Sequence, residues 1–164
     1  MTAPARERAL DFDALYRAAR DDVFAYVATL LHDRGAAEDV TAIAFERAFR
    51  RQAKYDARRG SARSWLFGIA RNAALDELRR RKRTASLPTE PPAAGADEID
   101  LALRRAAVRT ALAELPARDR ELIALKFHAG LDNAELADVL GVSVSNAGTR
   151  LHRALTKLRE ILDG

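Results

Sequence analysis

Residues 131–162 read LDNAELADVLGVSVSNAGTRLHRALTKLREIL. Leu136, Val139 and Leu140 predict a short helix over Asn133–Leu140. Gly141 has the freedom to take a positive φ at the turn that follows. Ser143 is a good N-cap, because its hydroxyl accepts from an otherwise unpaired N–H of the next helix. Beyond it Ala147, Leu151, Ala154, Leu155, Leu158 and Leu162 recur at helical spacing, as one apolar face of a longer helix. A short helix, a glycine-containing turn and a second helix make a helix-turn-helix, and Ala137 is small where the two helices approach. On the open face of the second helix stand Ser145, Asn146, Thr149, Arg150 and Arg153. Asn pairs with adenine and Arg with guanine, each good pair giving roughly 1–3 kcal/mol of discrimination.

Working back from that motif, a helix of about Ala117–Ala129 carries Leu122 and Leu125 and stops at Gly130. Arg118 and Arg120 lie in its first turn, where phosphate contact and plain solvent exposure are both open. Leu101, Val108, Leu112 and Leu115 form the face of an earlier helix that ends at Pro116. Residues 84–97, TASLPTEPPAAGAD, hold three of the five prolines, Gly95 and no basic residue, the composition of a flexible linker. The expected organisation is therefore all-α: a domain over 1–83, a Pro-rich linker over 84–97, and a helix-turn-helix domain over 98–164.

The first domain repeats the helical pattern. Phe12, Leu15, Tyr16, Ala19, Val23, Val27, Leu30 and Leu31 form one long stripe, which His32-Asp33-Arg34-Gly35 ends, with Gly35 suited to the stop. A second helix is expected from about Ala36, through Val40, Ala44, Phe45 and Ala48. Residues 52–63, QAKYDARRGSAR, lose the periodicity and read as a basic loop. Ser61 or Ser64 can cap a third helix, about Ala62–Arg81, with Phe67, Ala70, Ala74 and Leu78 on one face. Its last turn, Arg79-Arg80-Arg81-Lys82-Arg83, suits the negative end of a helix dipole.

Composition limits the function. The 164 residues include 35 Ala, a strong helix former, and no Cys, which excludes disulfides, thiolate metal sites and cysteine nucleophiles. His32, His128 and His152 have no metal-ligand spacing, and adjacent carboxylates such as Asp21-Asp22 and Asp76-Glu77 diverge on a helix. No glycine-rich phosphate loop or nucleophile elbow is present. The expectation is a non-enzyme with no cofactor, no metal and no small-molecule substrate. No apolar run approaches a membrane span, and the N-terminus has no signal-peptide core, so a cytoplasmic location is expected. The net charge of +4 conceals a local excess: residues 47–83 hold 13 basic and 3 acidic side chains. That asymmetry points to a polyanion partner.

Two segments together carry a family resemblance. In the first half are Ala37-Glu38-Asp39-Val40, Phe45-Glu46-Arg47-Ala48-Phe49 and Ser64-Trp65-Leu66-Phe67-Gly68-Ile69-Ala70-Arg71-Asn72, with the basic tail. In the second, Leu115-Pro116-Ala117-Arg118-Asp119-Arg120-Glu121 leads into the helix-turn-helix. From about residue 11 to 162 the chain resembles the extracytoplasmic-function (ECF) group of bacterial RNA polymerase sigma factors. The resemblance implies partners: core RNA polymerase, promoter DNA and an anti-sigma factor. It implies that Glu38, Asp39, Ile43 and Glu46 face the polymerase. Lys54, Tyr55, Arg58, Arg59, Arg63, Trp65, Arg71, Asn72, Arg79, Arg80 and Arg81 would serve −10 recognition and melting. Stacking on aromatic rings and neutralising phosphates suit that task. Arg118, Arg120, Ser145, Asn146, Thr149, Arg150 and Arg153 would serve the −35 element. For Trp65 and Phe67 core packing is the competing reading, and for Phe67 the preferred one. The chain departs from the family pattern at Ala42 and Ile43, at Val144, and at Ala147-Gly148. A stand-alone helix-turn-helix regulator and a helical protein–protein adaptor remain the alternatives at this point.

Overall fold

The computed structural model describes residues 10–84 and 99–164. The expected linker lies outside the described residues, apart from Thr84. Helices α1 (Phe12–Leu31), α2 (Arg34–Arg51) and α3 (Ala62–Thr84) form a first lobe. A second lobe consists of α4 (Ile99–Glu114), α5 (Ala117–Phe127), α6 (Asn133–Leu140) and α7 (Val144–Asp163). Among the described residues there are no strands.

Short polar side chains set the helix ends. Asp11 starts α1 by accepting from the Ala14 N–H at 3.1 Å. α1 ends at Leu31, just before the expected break over residues 32–35, but the stop residue is His32 and not Gly35: His32 takes the left-handed conformation with φ 52°. The His32 N–H donates to the Ala28 carbonyl at 2.9 Å, closing the helix end. Asp33 then caps α2, accepting from Ala36 N–H at 3.1 Å, so α2 begins at Arg34 and Gly35 lies in its first turn. Ser61 accepts from Ser64 N–H at 3.0 Å at the start of α3. In the second lobe Asp132 and Glu135 cap one another's backbone N–H groups, at 2.8 and 3.2 Å. Gly141 ends α6 with φ 69°, and Ser143 caps α7 by accepting from Asn146 N–H at 3.1 Å.

In the first lobe Ala19, Val23 and Val27 of α1 meet Val40, Ala44 and Ala48 of α2 and Leu66, Phe67, Ala70 and Ala74 of α3. Alanine at these positions lets the helix axes approach closely. Phe67 is fully buried, edge-on to Tyr26 at 5.6 Å between ring centres. In the second lobe Ala111, Leu115, Leu122, Leu125, Leu136, Ala147, Leu151 and Ala154 are buried. Val108 departs from the expected face of α4: it is 39% exposed, as is Leu103 at 62%. The side chain of Leu101 is outside the described residues.

The two lobes pack together. α1 lies against α5, and α3 against α6, so that one cluster of buried apolar residues runs through both. This places a set of polar side chains from each lobe at a shared boundary.

Candidate nucleic-acid interface

Three surfaces carry the residues singled out from the sequence. The first is the outer face of α2. With Ala37, Val40, Ala44, Phe45 and Ala48 turned inward, helical spacing leaves Glu38, Asp39, Ile43 and Glu46 exposed together. Ile43 is 41% exposed, and Phe49, one turn beyond Glu46, is 56% exposed. Glu46 pairs with Arg50 at 2.6 Å and Glu38 with Arg34 at 3.5 Å, both at the solvent. The face is thus an apolar spot bordered by carboxylates.

The second surface is the loop after α2, together with α3. Lys54, Arg58 and Arg59 are exposed. Tyr55 and Trp65 are half-buried and lean on each other at 5.4 Å. The Tyr55 hydroxyl donates to the Gly60 carbonyl at 3.1 Å, which fixes the loop against the start of α3. Farther along α3, Asn72, Arg79 and Arg80 are exposed. Arg79 meets Asp76 at 3.3 Å, and Arg80 holds Glu77 through two hydrogen bonds of 2.7 and 2.9 Å. Arg80's hydrogen bonding keeps the Glu77 carboxyl below its ordinary range, with Arg81 adding to the effect and burial opposing it.

Three of the arginines predicted for this surface are differently placed. Arg81 has a side chain only 16% exposed. It donates to the Leu31 carbonyl at 2.6 Å, to Asp33 at 3.3 Å and to Glu77 at 3.4 Å, bracing α3 against the α1–α2 corner. Arg63 donates to Asp22 at 2.5 Å and to the Ala129 carbonyl of the second lobe, with its guanidinium over the Phe67 ring. Arg71 donates to Glu121 of α5 at 2.5 Å, and the Tyr26 hydroxyl donates to the same carboxylate oxygen at 3.1 Å. Burial, and then the Glu121 charge, push the Tyr26 hydroxyl well above its ordinary pKa, so it is a neutral donor.

The third surface is α7. Ser145, Asn146, Thr149, Arg150 and Arg153 are all exposed, on the side away from buried Ala147, Leu151 and Ala154. Arg118 is exposed as well. Arg120 folds back over the end of α4, donating to the carbonyls of Leu112 and Leu115 at 3.0 Å each, and its other arm lies 2.8 Å from His32 of the first lobe. Sequence reasoning did not find Tyr26, His32, Ser61, Glu121 or Glu135 as partners. Their contacts join positions 50 to 95 residues apart, where helical spacing gives no signal.

Residues 15–84 match the family described as Sigma-70 region 2, and residues 105–158 match the family described as Sigma-70, region 4. The chain is 34% identical over 155 residues to the ECF RNA polymerase sigma factor SigL of Mycobacterium tuberculosis (strain ATCC 25618 / H37Rv), covering 89% of this chain and 88% of the relative. It is 31% identical over 159 residues to the ECF RNA polymerase sigma factor SigK of Mycolicibacterium vanbaalenii, covering 92% and 81%. Among solved structures, CnrH in complex with the cytosolic domain of CnrY matches with a TM-score of 0.69 and 27% identity, over 93% of this chain and 87% of that one. The sigma factor RpoE of Bartonella quintana, solved with the anti-sigma factor NepR, shares the fold with a TM-score of 0.78 at 24% identity, over 93% and 97%. The chain belongs to the ECF RNA polymerase sigma factors. A stand-alone helix-turn-helix regulator or an adaptor would account for only one of the two matched regions. No described helix is long and apolar enough to cross a membrane.

Proposed function

We propose that this chain binds core RNA polymerase and directs it to promoters, as a transcription initiation factor without catalysis of its own. The observation that carries this reading is the separation of three exposed surfaces on one helical chain. The α2 face of Glu38, Asp39, Ile43 and Glu46 suits a protein partner, because an exposed apolar spot bordered by charge is a docking feature. The loop and α3, with Lys54, Tyr55, Arg58, Arg59, Trp65, Asn72, Arg79 and Arg80, supply the rings and cations that a melted −10 strand requires, and Arg63 and Arg71 add to them only when their protein acceptors release them. The face of α7 suits the major groove at the −35 element. On this reading residues 1–83 and 98–164 work as the −10 and −35 modules, joined through 84–97, in the cytoplasm. An anti-sigma factor is the matching regulator, since CnrH was solved with CnrY, and RpoE with the anti-sigma factor NepR.

The test is transcription in vitro with purified core polymerase on a genomic fragment library, with start sites mapped. Co-elution with core and initiation from a restricted set of promoters are expected. Tight duplex binding by the chain alone, with no co-elution and no initiation, would overturn the reading.

A further inference from the structure

Two of the departures from the family pattern, Val144 and Gly148, stand one turn apart near the start of α7. Residues four apart follow one another on a helix face, so Val144, Gly148 and His152 make a row along the polar side of α7. Val144 is 53% exposed and His152 is exposed, while Gly148 has no side chain, which leaves a notch between them. Asn133, the first residue of α6, borders the notch: its Nδ2 lies 3.5 Å from the point a Cβ on Gly148 would occupy. Neither the backbone nor the packing calls for glycine here. α7 runs through 148 without a break, glycine is a poor interior helix residue, and an added Cβ would make only that ordinary contact. The missing side chain therefore serves whatever meets this face from outside.

The floor and one wall of the notch are apolar. Inside a helix the Gly148 N–H and C=O are taken up by the backbone ladder, which leaves its Cα and the methyl groups of Val144. The base edges of the major groove present donors, acceptors and one apolar group, the C5-methyl of thymine. We propose that the Gly148 notch receives the C5-methyl of one thymine in the −35 element, with Val144 as its apolar wall and Asn133 and His152 at its polar edges. α7 then reads a base by shape at a position where it carries no side chain. This inference rests on the reading of α7 as the −35 helix. It adds one base-reading position, and the identity of the base, to the polar positions Ser145, Asn146, Thr149, Arg150 and Arg153.

The test uses the full chain with core polymerase, on a promoter found by mapping start sites. The −35 segment is first scrambled as a whole. Each of its thymines, on either strand, is then replaced in turn by deoxyuridine, which lacks only the methyl group. Scrambling is expected to abolish initiation at limiting protein. With the parent chain, one deoxyuridine is expected to lower initiation about three- to fourfold, the effect of one buried methyl group. Gly148→Ala fills the notch and Val144→Ser removes its apolar wall, so each is expected to make thymine and deoxyuridine equivalent at that position. Gly148→Ala is expected to melt no lower than the parent, which separates lost reading from lost folding. A −35 segment without thymine, a parent chain indifferent to deoxyuridine at every position, or a sensitive thymine that stays as sensitive in either variant overturns the notch. Scrambling that leaves initiation unchanged overturns the −35 reading itself, and the notch falls with it.

Discussion

Arg79, Arg80 and Arg81 are consecutive in sequence and alike in chemistry, yet the structure gives the third a different task. Arg81→Ala removes the donor to the Leu31 carbonyl, a bond of 2.6 Å at the end of α1, together with the contacts to Asp33 and Glu77. Glu77 keeps its two bonds to Arg80, and Asp33 keeps the Ala36 N–H. The principal loss is therefore one charge-assisted bond to a half-buried carbonyl, worth about 1.5–3 kcal/mol. At roughly 2–4 °C per kcal/mol for a chain of this size, a loss near 2 kcal/mol lowers Tm by about 4–8 °C. Arg79→Ala breaks only an exposed pair, worth roughly 0–1 kcal/mol, and Arg80→Ala leaves Glu77 its bond to Arg81, so each lowers Tm less than Arg81→Ala does.

The ranking inverts when DNA binding is read instead. If Arg79 and Arg80 meet phosphates, each alanine reduces the slope of log K against log salt by about 0.7–0.9. Arg81→Ala leaves that slope unchanged, because its guanidinium is already held by protein acceptors. Thermal melting and a salt titration of promoter-complex formation, run on the three single variants, measure both quantities. Arg81→Lys separates charge from geometry: one ammonium cannot span the carbonyl and two carboxylates as the guanidinium fork does, so it recovers only part of the lost Tm. The bracing role is refuted if Arg81→Ala melts like the parent and loses as much slope as Arg79→Ala.

Three further outcomes follow from local geometry. Gly148→Ala is expected to raise stability by about 1 kcal/mol, because glycine is a poor interior helix residue and the added Cβ meets only Asn133 Nδ2, at an ordinary 3.5 Å; a lower Tm would refute it. Gly141→Ala is expected to cost about 1 kcal/mol or more, since φ 69° is left-handed, and an unchanged Tm would refute that. Burial, then the charges of Arg120 and Arg81, hold the His32 pKa below its ordinary 6.5. The unfolded chain therefore binds the proton more readily. The native contact is at full strength above about pH 6.5 and weakens as pH falls from there toward the lowered native value. Burial also lowers His128, with Asp22 opposing, so His128 adds to the same trend. Melting between about pH 7.5 and 5.5 checks the sign, and His32→Asn, which tolerates the left-handed position, is expected to flatten part of the slope.

The parts legible in the sequence are those governed by contacts three and four residues apart. α6 and α7 end where Asp132, Gly141 and Ser143 place them, because a cap involves only neighbours in the chain. The break after α1 falls where the sequence places it, but the residue that makes the turn differs for a physical reason. Gly35 is the residue that takes a positive φ most readily, but Asp33 is the better cap, and capping α2 at Asp33 forces the left-handed turn one residue earlier, on His32. The exposed faces of α2 and α7 follow from the apolar stripe on the opposite side of each helix. The roles of Arg63, Arg71, Arg81 and Arg120 do not, because an arginine reaches far enough to leave its own helix face. Each of the four ends on an acceptor from a different element. The charge excess of residues 47–83 therefore overstates the cation density that the closed chain presents.

The division of surfaces also orders the steps of assembly. α2 packs on α1 and α3, and its outer face of Glu38, Asp39, Ile43 and Glu46 stays exposed with the lobes closed. On the reading argued above, polymerase can therefore engage the chain through α2 before any promoter contact forms. Ile43→Asp, which puts a charge in the apolar spot, is expected to weaken co-elution with core polymerase and to leave Tm nearly unchanged, because Ile43 is 41% exposed. If the variant co-elutes as well as the parent, the α2 face is not the docking surface.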